Sequence, residues 1–279
     1  DKSMLKAFIS GIFPRQDELI GAINRYEKNR IGKDELRSIF EKCENEWLNL
    51  QKGLTYISEP LLSWNDFLRP FTLKLKNVVL GPLTRYLETN TFYRRPIFKG
   101  KPIKEFEILK SENEYSLPFI YDSNSKILVP GPYTFVKSGE NLSGIDDWGL
   151  IENMAEIIFD ESSKYPFVEF KESLINSIED LKKLKDLYST FSGKGYIFTT
   201  IETEKNFIDF PIPYAIRTKN FSIPDNIIIE LVDVFSTKII EFNDLPKNIT
   251  FTTNESLEFL PYSIAIKKIT SIKSILEVK

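Results

Sequence analysis

Residues 165–200, YPFVEFKESLINSIEDLKKLKDLYSTFSGKGYIFTT, carry the clearest succession of patterns in the chain. The apolar run at 165–170 predicts a strand, the spaced apolar residues at 173–189 predict a helix, and 195–200 predicts a second strand. A strand, a helix and a strand in succession form the unit from which parallel sheets are built, so this segment indicates an α/β fold.

The same alternation extends in both directions along the chain. Further strands are predicted at 5–10, 54–57, 117–121, 126–130, 227–231, 237–241 and 249–253, and further helices at 17–26, 36–50, 83–91, 150–158 and 266–276. About eight strands with intervening helices in 279 residues fit a TIM-like (β/α)8 barrel. We therefore expect a single barrel domain over residues 1–279.

A doubly wound open sheet is the alternative α/β architecture. No Gly-x-Gly-x-x-Gly follows the first predicted strand, and the glycines at 193 and 195 lack the spacing of a phosphate loop. The barrel is therefore the favoured interpretation.

The residue types that are missing restrict the chemistry. The chain has no histidine and one cysteine, Cys43, which excludes Ser-His-Asp triads, Cys-His dyads and zinc sites built from His and Cys. Cys43 lies on the apolar stripe of a predicted helix, so we expect it to be buried. We predict that this chain binds no metal and no other cofactor.

Charge is unevenly distributed, although the net charge is only −3. Residues 69–110 hold ten basic and three acidic residues, a net charge of +7, whereas residues 140–180 hold two basic and eleven acidic residues, a net charge of −9. Ordinary solvated surface and a functional role explain these two charged segments equally well. The functional interpretation of the basic segment is an anion site, and its interleaved aromatic residues also suit single-stranded RNA.

Three motifs in order resemble the N-terminal domain of cobalamin-independent methionine synthase. They are Phe13-Pro14-Arg15, with Trp47-x-x-x-Gln51-Lys52 further on; residues 84–93, TRYLETNTFY; and residues 129–135, VPGPYTF. The resemblance runs through nearly the whole chain. It implies an α/β barrel, in an abbreviated form because this chain is shorter than the family domain.

In that family a second, C-terminal barrel holds the catalytic zinc and binds homocysteine, and the N-terminal barrel contacts the polyglutamate tail of methyl-folate. Without histidine this chain cannot be the zinc barrel. The resemblance makes Arg15 and Arg85 candidates for binding the tail of a methyl-pterin, and Asn90 and Lys52 lie in the same motifs. Guanidinium groups suit this role because they bind carboxylates through two hydrogen bonds.

The resemblance implies a helper role in methionine biosynthesis. The chain would assist a separately encoded catalytic barrel, on which zinc is expected, in methyl transfer from a folate-like methyl-pterin to homocysteine, without being catalytic alone. The alternative is a non-catalytic protein that binds another anionic ligand or RNA through residues 69–110. The near-neutral net charge argues against a general nucleic-acid partner, and no apolar run reaches the length of a membrane span. We expect a cytoplasmic protein, and its few glutamines and many lysines suit a heat-adapted source.

Overall fold

The protein folds around short, buried parallel strands. The computed structural model describes residues 5–109, 122–239, 241–242 and 245–277. The strands are β1 (Lys6–Ala7), β2 (Ile57–Ser58), β3 (Leu75–Arg85), β4 (Phe92–Lys104), β5 (Ser125–Pro130), β6 (Glu140–Asn141), β7 (Phe167–Lys171), β8 (Gly195–Phe198), β9 (Tyr214–Ile216), β10 (Ile227–Val232) and β11 (Thr250–Thr253). The helices are α1 (Asp17–Glu27), α2 (Lys33–Leu50), α3 (Arg69–Thr72), α4 (Pro132–Lys137), α5 (Asp147–Ser162), α6 (Ile178–Lys183), α7 (Lys185–Tyr188) and α8 (Tyr262–Glu277).

Eight parallel strands form one curled sheet in the order β2-β5-β7-β8-β9-β10-β11-β1. When the three strands of a smaller sheet, β3, β4 and β6, are left out, strands that are adjacent in this sheet are also consecutive in the chain. This is the arrangement of a TIM-like barrel. In the described residues no strand ladder joins the edge strands β1 and β2, so the barrel is not closed and the sheet forms a half-barrel. Single hydrogen bonds cross this seam, such as that from the Thr55 N–H to the Ala7 carbonyl at 2.9 Å.

Helices α1, α2 and α8 cover one part of the sheet through an apolar cluster that includes Leu36, Phe40, Cys43 and Trp47. Cys43 is fully buried, as its place on the stripe predicted. The Trp47 ring packs edge-on against Phe13 at 5.1 Å, and its indole N–H donates to the Pro14 carbonyl at 3.0 Å. Helix α2 therefore fixes the turn that carries Arg15.

The predicted helix at 83–91 is wrong. Residues 83–85 end strand β3, the chain turns, and Phe92 begins β4, with Leu83 opposite Arg94 and Arg85 opposite Phe92 in an antiparallel ladder. Pro82 just before the segment and the threonines within it favour extended backbone over helix. Strand β6 pairs with the other edge of β4 and completes a three-stranded sheet.

The predicted strand at 237–241 is also wrong. Its described residues form no strand: they lie in the connection from β10 to β11, and each of these two strands is already paired on both of its edges. The other strands over described residues form at or near their predicted places, although the first two are shorter than predicted. The predicted strand at 117–121 lies outside the described residues.

The covering layer is uneven around the half-barrel. The predicted helix at 173–189 is two short helices, α6 and α7, and the described parts of 199–213, 217–226 and 233–249 contain no helix. Loops therefore make the connections that helices make elsewhere in the fold. No helix in the described part of the chain is both long and apolar enough to cross a lipid bilayer.

Candidate functional site at the carboxyl end of the sheet

Polar side chains fill the inside of the curled sheet among a few aromatic rings. The inner apolar cluster consists of Phe8, Phe167, Tyr196, Phe198, Ala215 and Ile228. Between these residues lie buried charged and hydroxyl side chains from alternate strand positions, namely Ser10, Lys126, Glu169, Lys171, Glu230 and Thr252. Charges placed inside the sheet need partners, and here the partners come from a neighbouring strand or from a segment that directly follows one.

Lys126 and Glu169 form one ion pair deep inside the sheet, where both are almost fully buried. Burial lowers the pKa of Lys126, and the Glu169 carboxylate opposes that shift. Glu169 also accepts from the Gly11 N–H at 3.1 Å. The oxygens of Glu169 are therefore occupied by the chain itself, and the pair joins β5 and β7 to the segment that follows β1.

A second ion pair lies at the carboxyl end of the sheet, which we call the mouth. Lys171, the last residue of β7, pairs with Glu255, which follows β11. The Lys171 Nζ lies 5.4, 5.2 and 5.3 Å from the ring centroids of Phe67, Tyr86 and Phe198. The Tyr86 hydroxyl donates to Glu255 at 3.2 Å, so the β3–β4 hairpin closes over the pair. The mouth is thus occupied by side chains of the chain itself.

Electrostatics keep Lys171 charged. Burial by itself lowers the pKa of Lys171, but the Glu255 carboxylate, together with Tyr86 and Glu169, more than offsets burial, and the pKa lies above its ordinary value. Burial raises the pKa of Tyr86, which stays protonated as a donor. Because the ammonium of Lys171 stays charged and is paired with a carboxylate, Lys171 is a structural cation and a poor nucleophile.

Glu172, beside Lys171, is a buried carboxyl with a different role. Burial raises its pKa to about 7, although hydrogen bonds from Thr134, Tyr188 and Tyr133 act in the opposite direction. Its oxygens accept from the Thr134 N–H at 2.7 Å and the Tyr188 hydroxyl at 2.8 Å. A side chain on Gly131 would come within 2.0 Å of the Glu172 carboxyl carbon. Glu172 therefore anchors the start of α4 and has no space for a ligand.

An open pocket of about 590 Å³ lies at the rim of the mouth, next to Arg15. We call it the Arg15 pocket; it is lined by residues 12–15, 62, 64–65, 258 and 260–263, with Asp17 and Ile20. The Arg15 Nε donates to the Leu62 carbonyl at 2.7 Å, and one terminal nitrogen donates to Asn65 at 3.3 Å. These two bonds orient the guanidinium and leave its other donors without a partner in the described structure.

Glu258 lines the same pocket and is coupled to Arg15. Burial raises the pKa of Glu258 to about 7; Lys171 and Arg15 lower it, and Glu255 and Asp66 raise it. Burial lowers the pKa of Arg15, and Glu258 opposes that shift, so the guanidinium remains charged. The pocket therefore holds one fixed cation beside a carboxyl that titrates near neutral pH.

Arg85 and Asn90 lie together at the tip of the β3–β4 hairpin, exposed to solvent. The Arg85 Nε donates to the Thr89 carbonyl at 2.5 Å, and a terminal nitrogen lies 3.4 Å from the Asn90 side-chain oxygen. Since the adjacent Tyr86 reaches the mouth, the hairpin tip is at the same end of the sheet as Arg15.

Lys52 lies at the opposite end of the sheet. It follows the last turn of α2, just before β2 begins, and Lys273 near the end of α8 donates to the Leu50 carbonyl there at 3.3 Å. The structure thus brings Arg85 and Asn90 together and places Arg15 at the same end, but Lys52 does not share that end.

The sequence analysis missed Lys171, Glu255 and Glu258. A signal for Glu255 and Glu258 was available, because polar residues that follow a parallel strand gather at its carboxyl end. The pairing of Lys171 with Glu255 could not be predicted from the sequence, because 84 positions separate the two residues.

In residues 5–109, 122–239, 241–242 and 245–277, no three acidic or cysteine side chains come together in a way that could hold a metal ion. The Arg15 pocket offers one arginine and one carboxyl, which suits an organic anion better than a metal.

The fold and the position of the pocket define a class: a TIM-like half-barrel with its open pocket at the carboxyl ends of the strands. No protein-family model matches the chain, and no curated protein matches it. Solved structures with this fold do match.

A B12-independent methionine synthase from Shewanella sp. W3-18-1, in complex with selenomethionine, superposes with a TM-score of 0.67 at 12% identity. The match covers 99% of this chain and 97% of that chain. A protein from Listeria monocytogenes assigned to the vitamin-B12-independent methionine synthases superposes with a TM-score of 0.57 at 11% identity, covering 98% of each chain. At these identities the likeness establishes the fold.

Proposed function

We propose that this chain is a methionine-synthase-related helper protein. It binds the carboxylate tail of a methyl-pterin donor in the Arg15 pocket and assists a separately encoded catalytic barrel, which transfers the methyl group to homocysteine. On its own the chain does not catalyse that transfer.

The observation that carries the proposal is the Arg15 guanidinium, held by Leu62 and Asn65 with donors left over, in an open pocket. Guanidinium binds carboxylates through paired, charge-assisted hydrogen bonds, and pre-orientation lowers the entropy lost on binding. The pocket is large enough for the end of a tail and is lined by Trp64 and Tyr262, whose faces suit the apolar part of a ligand.

The comparisons support the methionine synthase relation, because two structures of that description share the fold over nearly their whole length. Composition supports the proposal of a separate catalytic partner. The chain has no histidine, and its one cysteine is buried with a pKa raised to about 11 by burial, so it is a poor thiolate. We therefore assign thiol activation to the partner.

Calorimetric titration of the purified chain with a methyl-pterin that carries a short polyglutamate tail tests the proposal. We expect one site per chain, displaced by free polyglutamate. Arg15→Ala should weaken this binding. Its matched control is Arg30→Ala, which changes an exposed arginine just after α1 and should bind like the wild type.

The alternative function is the binding of another anionic ligand or RNA through residues 69–110. The same titration distinguishes it: displacement by an oligonucleotide and indifference to polyglutamate would replace the helper proposal with this one.

A further inference from the structure

Exposed apolar side chains are concentrated on the β3–β4 hairpin. Of the thirteen large apolar residues that are exposed in the described structure, eight lie between positions 73 and 106. Leu83 is 56% exposed and Phe92 is 51% exposed. A cluster of this kind on a protruding hairpin is typical of an interaction surface.

Cations alternate with these apolar residues. The ladder places Lys76 opposite Ile103, Leu83 opposite Arg94 and Arg85 opposite Phe92. In the described structure Lys76, Arg85, Lys99 and Lys101 are exposed and pair with no carboxylate. We call these four cations, with the exposed apolar residues of β3 and β4, the basic hairpin surface.

A surface of opposite charge lies directly beside it. Strand β6 pairs with β4, with Glu140 opposite Ile97, and leads through residues 142–146 into α5. The exposed or half-exposed residues of this segment include Glu140, Leu142, Asp146, Trp148, Glu152, Glu156 and Asp160, and we call these seven the acidic surface. Leu142 is 54% exposed and Trp148 is 39% exposed, so this surface also has apolar residues to bury.

The two surfaces are adjacent on one side of the molecule. Lys104 of β4 donates to Asp160 at 2.7 Å and to Glu161 at 2.8 Å, where the surfaces meet. A face that is basic on one side and acidic on the other becomes complementary to itself after a twofold rotation. RNA and an anionic lipid bilayer would both be repelled by the acidic half, so a second copy of the chain fits the whole face best.

We propose that the protein forms a twofold-symmetric homodimer in which the basic hairpin surface of each copy packs on the acidic surface of the other. Each dimer then contains two equivalent contacts, with Leu83 and Phe92 on one side and Leu142 and Trp148 on the other. Opposite charges around these apolar residues set the orientation and speed the encounter.

Charge reversal with rescue tests the dimer. One variant carries Lys76→Glu, Lys99→Glu and Lys101→Glu, and the other carries Glu140→Lys, Glu152→Lys and Glu156→Lys. Sedimentation equilibrium should show a wild-type dimer, and each variant alone should dissociate at least about a hundredfold more readily, because both of its contacts bring like charges together.

An equimolar mixture of the two variants is the decisive sample. In the mixed dimer one contact is native and the other has both charges exchanged, so both are attractive and the dimer should return. Misfolded variants could not produce that result. Lys28→Glu with Lys33→Glu, two exposed lysines away from the hairpin, is the control and should remain dimeric.

Three results would overturn the proposal: a wild-type chain that stays monomeric over the whole concentration range, variants that remain dimeric alone, or a mixture that stays monomeric. Binding of RNA or anionic vesicles by a monomeric wild type would reassign the basic hairpin surface to that partner.

Discussion

The mouth of the half-barrel and the Arg15 pocket lie at the same end of the sheet but differ in how their charged side chains are paired and enclosed. In the mouth, Lys171 is paired with Glu255, enclosed by aromatic rings and closed to solvent. In the pocket, Arg15 and Glu258 are partly buried, line an open cavity and form no direct ion pair with each other. The place where TIM-like barrels usually bind substrate is filled by the chain itself, and the open cavity lies at the rim.

The first prediction concerns the mouth and has the largest effect. Lys171→Met leaves Glu255 buried without its cation, so the free energy of unfolding should fall by about 3–5 kcal/mol in urea titrations. The double variant Lys171→Met with Glu255→Leu should recover much of the loss, because an apolar pair needs no partner. A single variant within about 1 kcal/mol of the wild type would show that the pair does not hold the mouth together.

The second prediction concerns the pocket. Arg15→Ala should weaken binding of the polyglutamate-tailed pterin by about tenfold or more, because a charge-assisted hydrogen bond to a carboxylate contributes roughly 1.5–3 kcal/mol. Arg15→Lys should restore part of the affinity, because it keeps the charge but not the paired geometry. Equal affinity in Arg15→Ala and the wild type, measured by calorimetry, would remove Arg15 from the site.

The third prediction uses pH to separate the two regions. The pKa of Glu258 is raised to about 7, so below that pH the carboxyl is neutral and no longer repels an anion beside Arg15. Tail affinity should therefore rise severalfold between pH 8 and pH 6. Glu258→Gln should hold the higher affinity across that range. An unchanged pH dependence in Glu258→Gln would place the titrating group elsewhere.

The raised pKa of Glu258 also affects stability. A carboxyl whose folded pKa lies above its unfolded value favours the folded state at low pH, and that contribution is lost as pH rises through about 7. Glu172 shifts in the same direction, so stability alone cannot distinguish the two carboxyls, whereas tail affinity reports only on the pocket.

The fourth prediction has the smallest effect. Arg85→Glu, at the exposed hairpin tip, should weaken tail binding by about twofold to fivefold, since exposed ion pairs contribute roughly 0.2–1 kcal/mol. The effect should shrink as salt rises, because exposed charges are screened. A loss as large as that of Arg15→Ala would mean that the hairpin tip is the principal anion site.

The sequence predicted the fold where periodicity is strong. The buried runs at 126–130, 165–170 and 227–231 form strands, because parallel strands are covered on both faces and read as continuous apolar segments. The β3–β4 hairpin was missed because it is covered on one side only, and its exposed side mixes cations with apolar residues and prolines. The seam between β1 and β2 could not be predicted, since two-residue strands leave no period to read.

The candidate site was predicted only in part. Arg15 lies in a pocket because the turn at 13–15 follows the first strand, and that position could be read from the order of elements. Lys52 was placed with it through a motif, but α2, the second of the two helices between them, carries Lys52 to the other end of the sheet. Glu258 enters the pocket through the turn after β11, and its place after a predicted strand was the signal that could have put it at the same end as Arg15.

A reconstituted methyl-transfer assay tests the proposed helper function most directly. A zinc-bearing catalytic methionine synthase barrel is assayed for homocysteine methylation from the polyglutamate-tailed methyl-pterin, with and without this chain. The account predicts no turnover by the chain alone, a saturable increase in rate when it is added to the barrel, and a higher KM for the donor when Arg15→Ala replaces the wild type. A rate that is unchanged by the chain, or turnover by the isolated chain, would contradict the account.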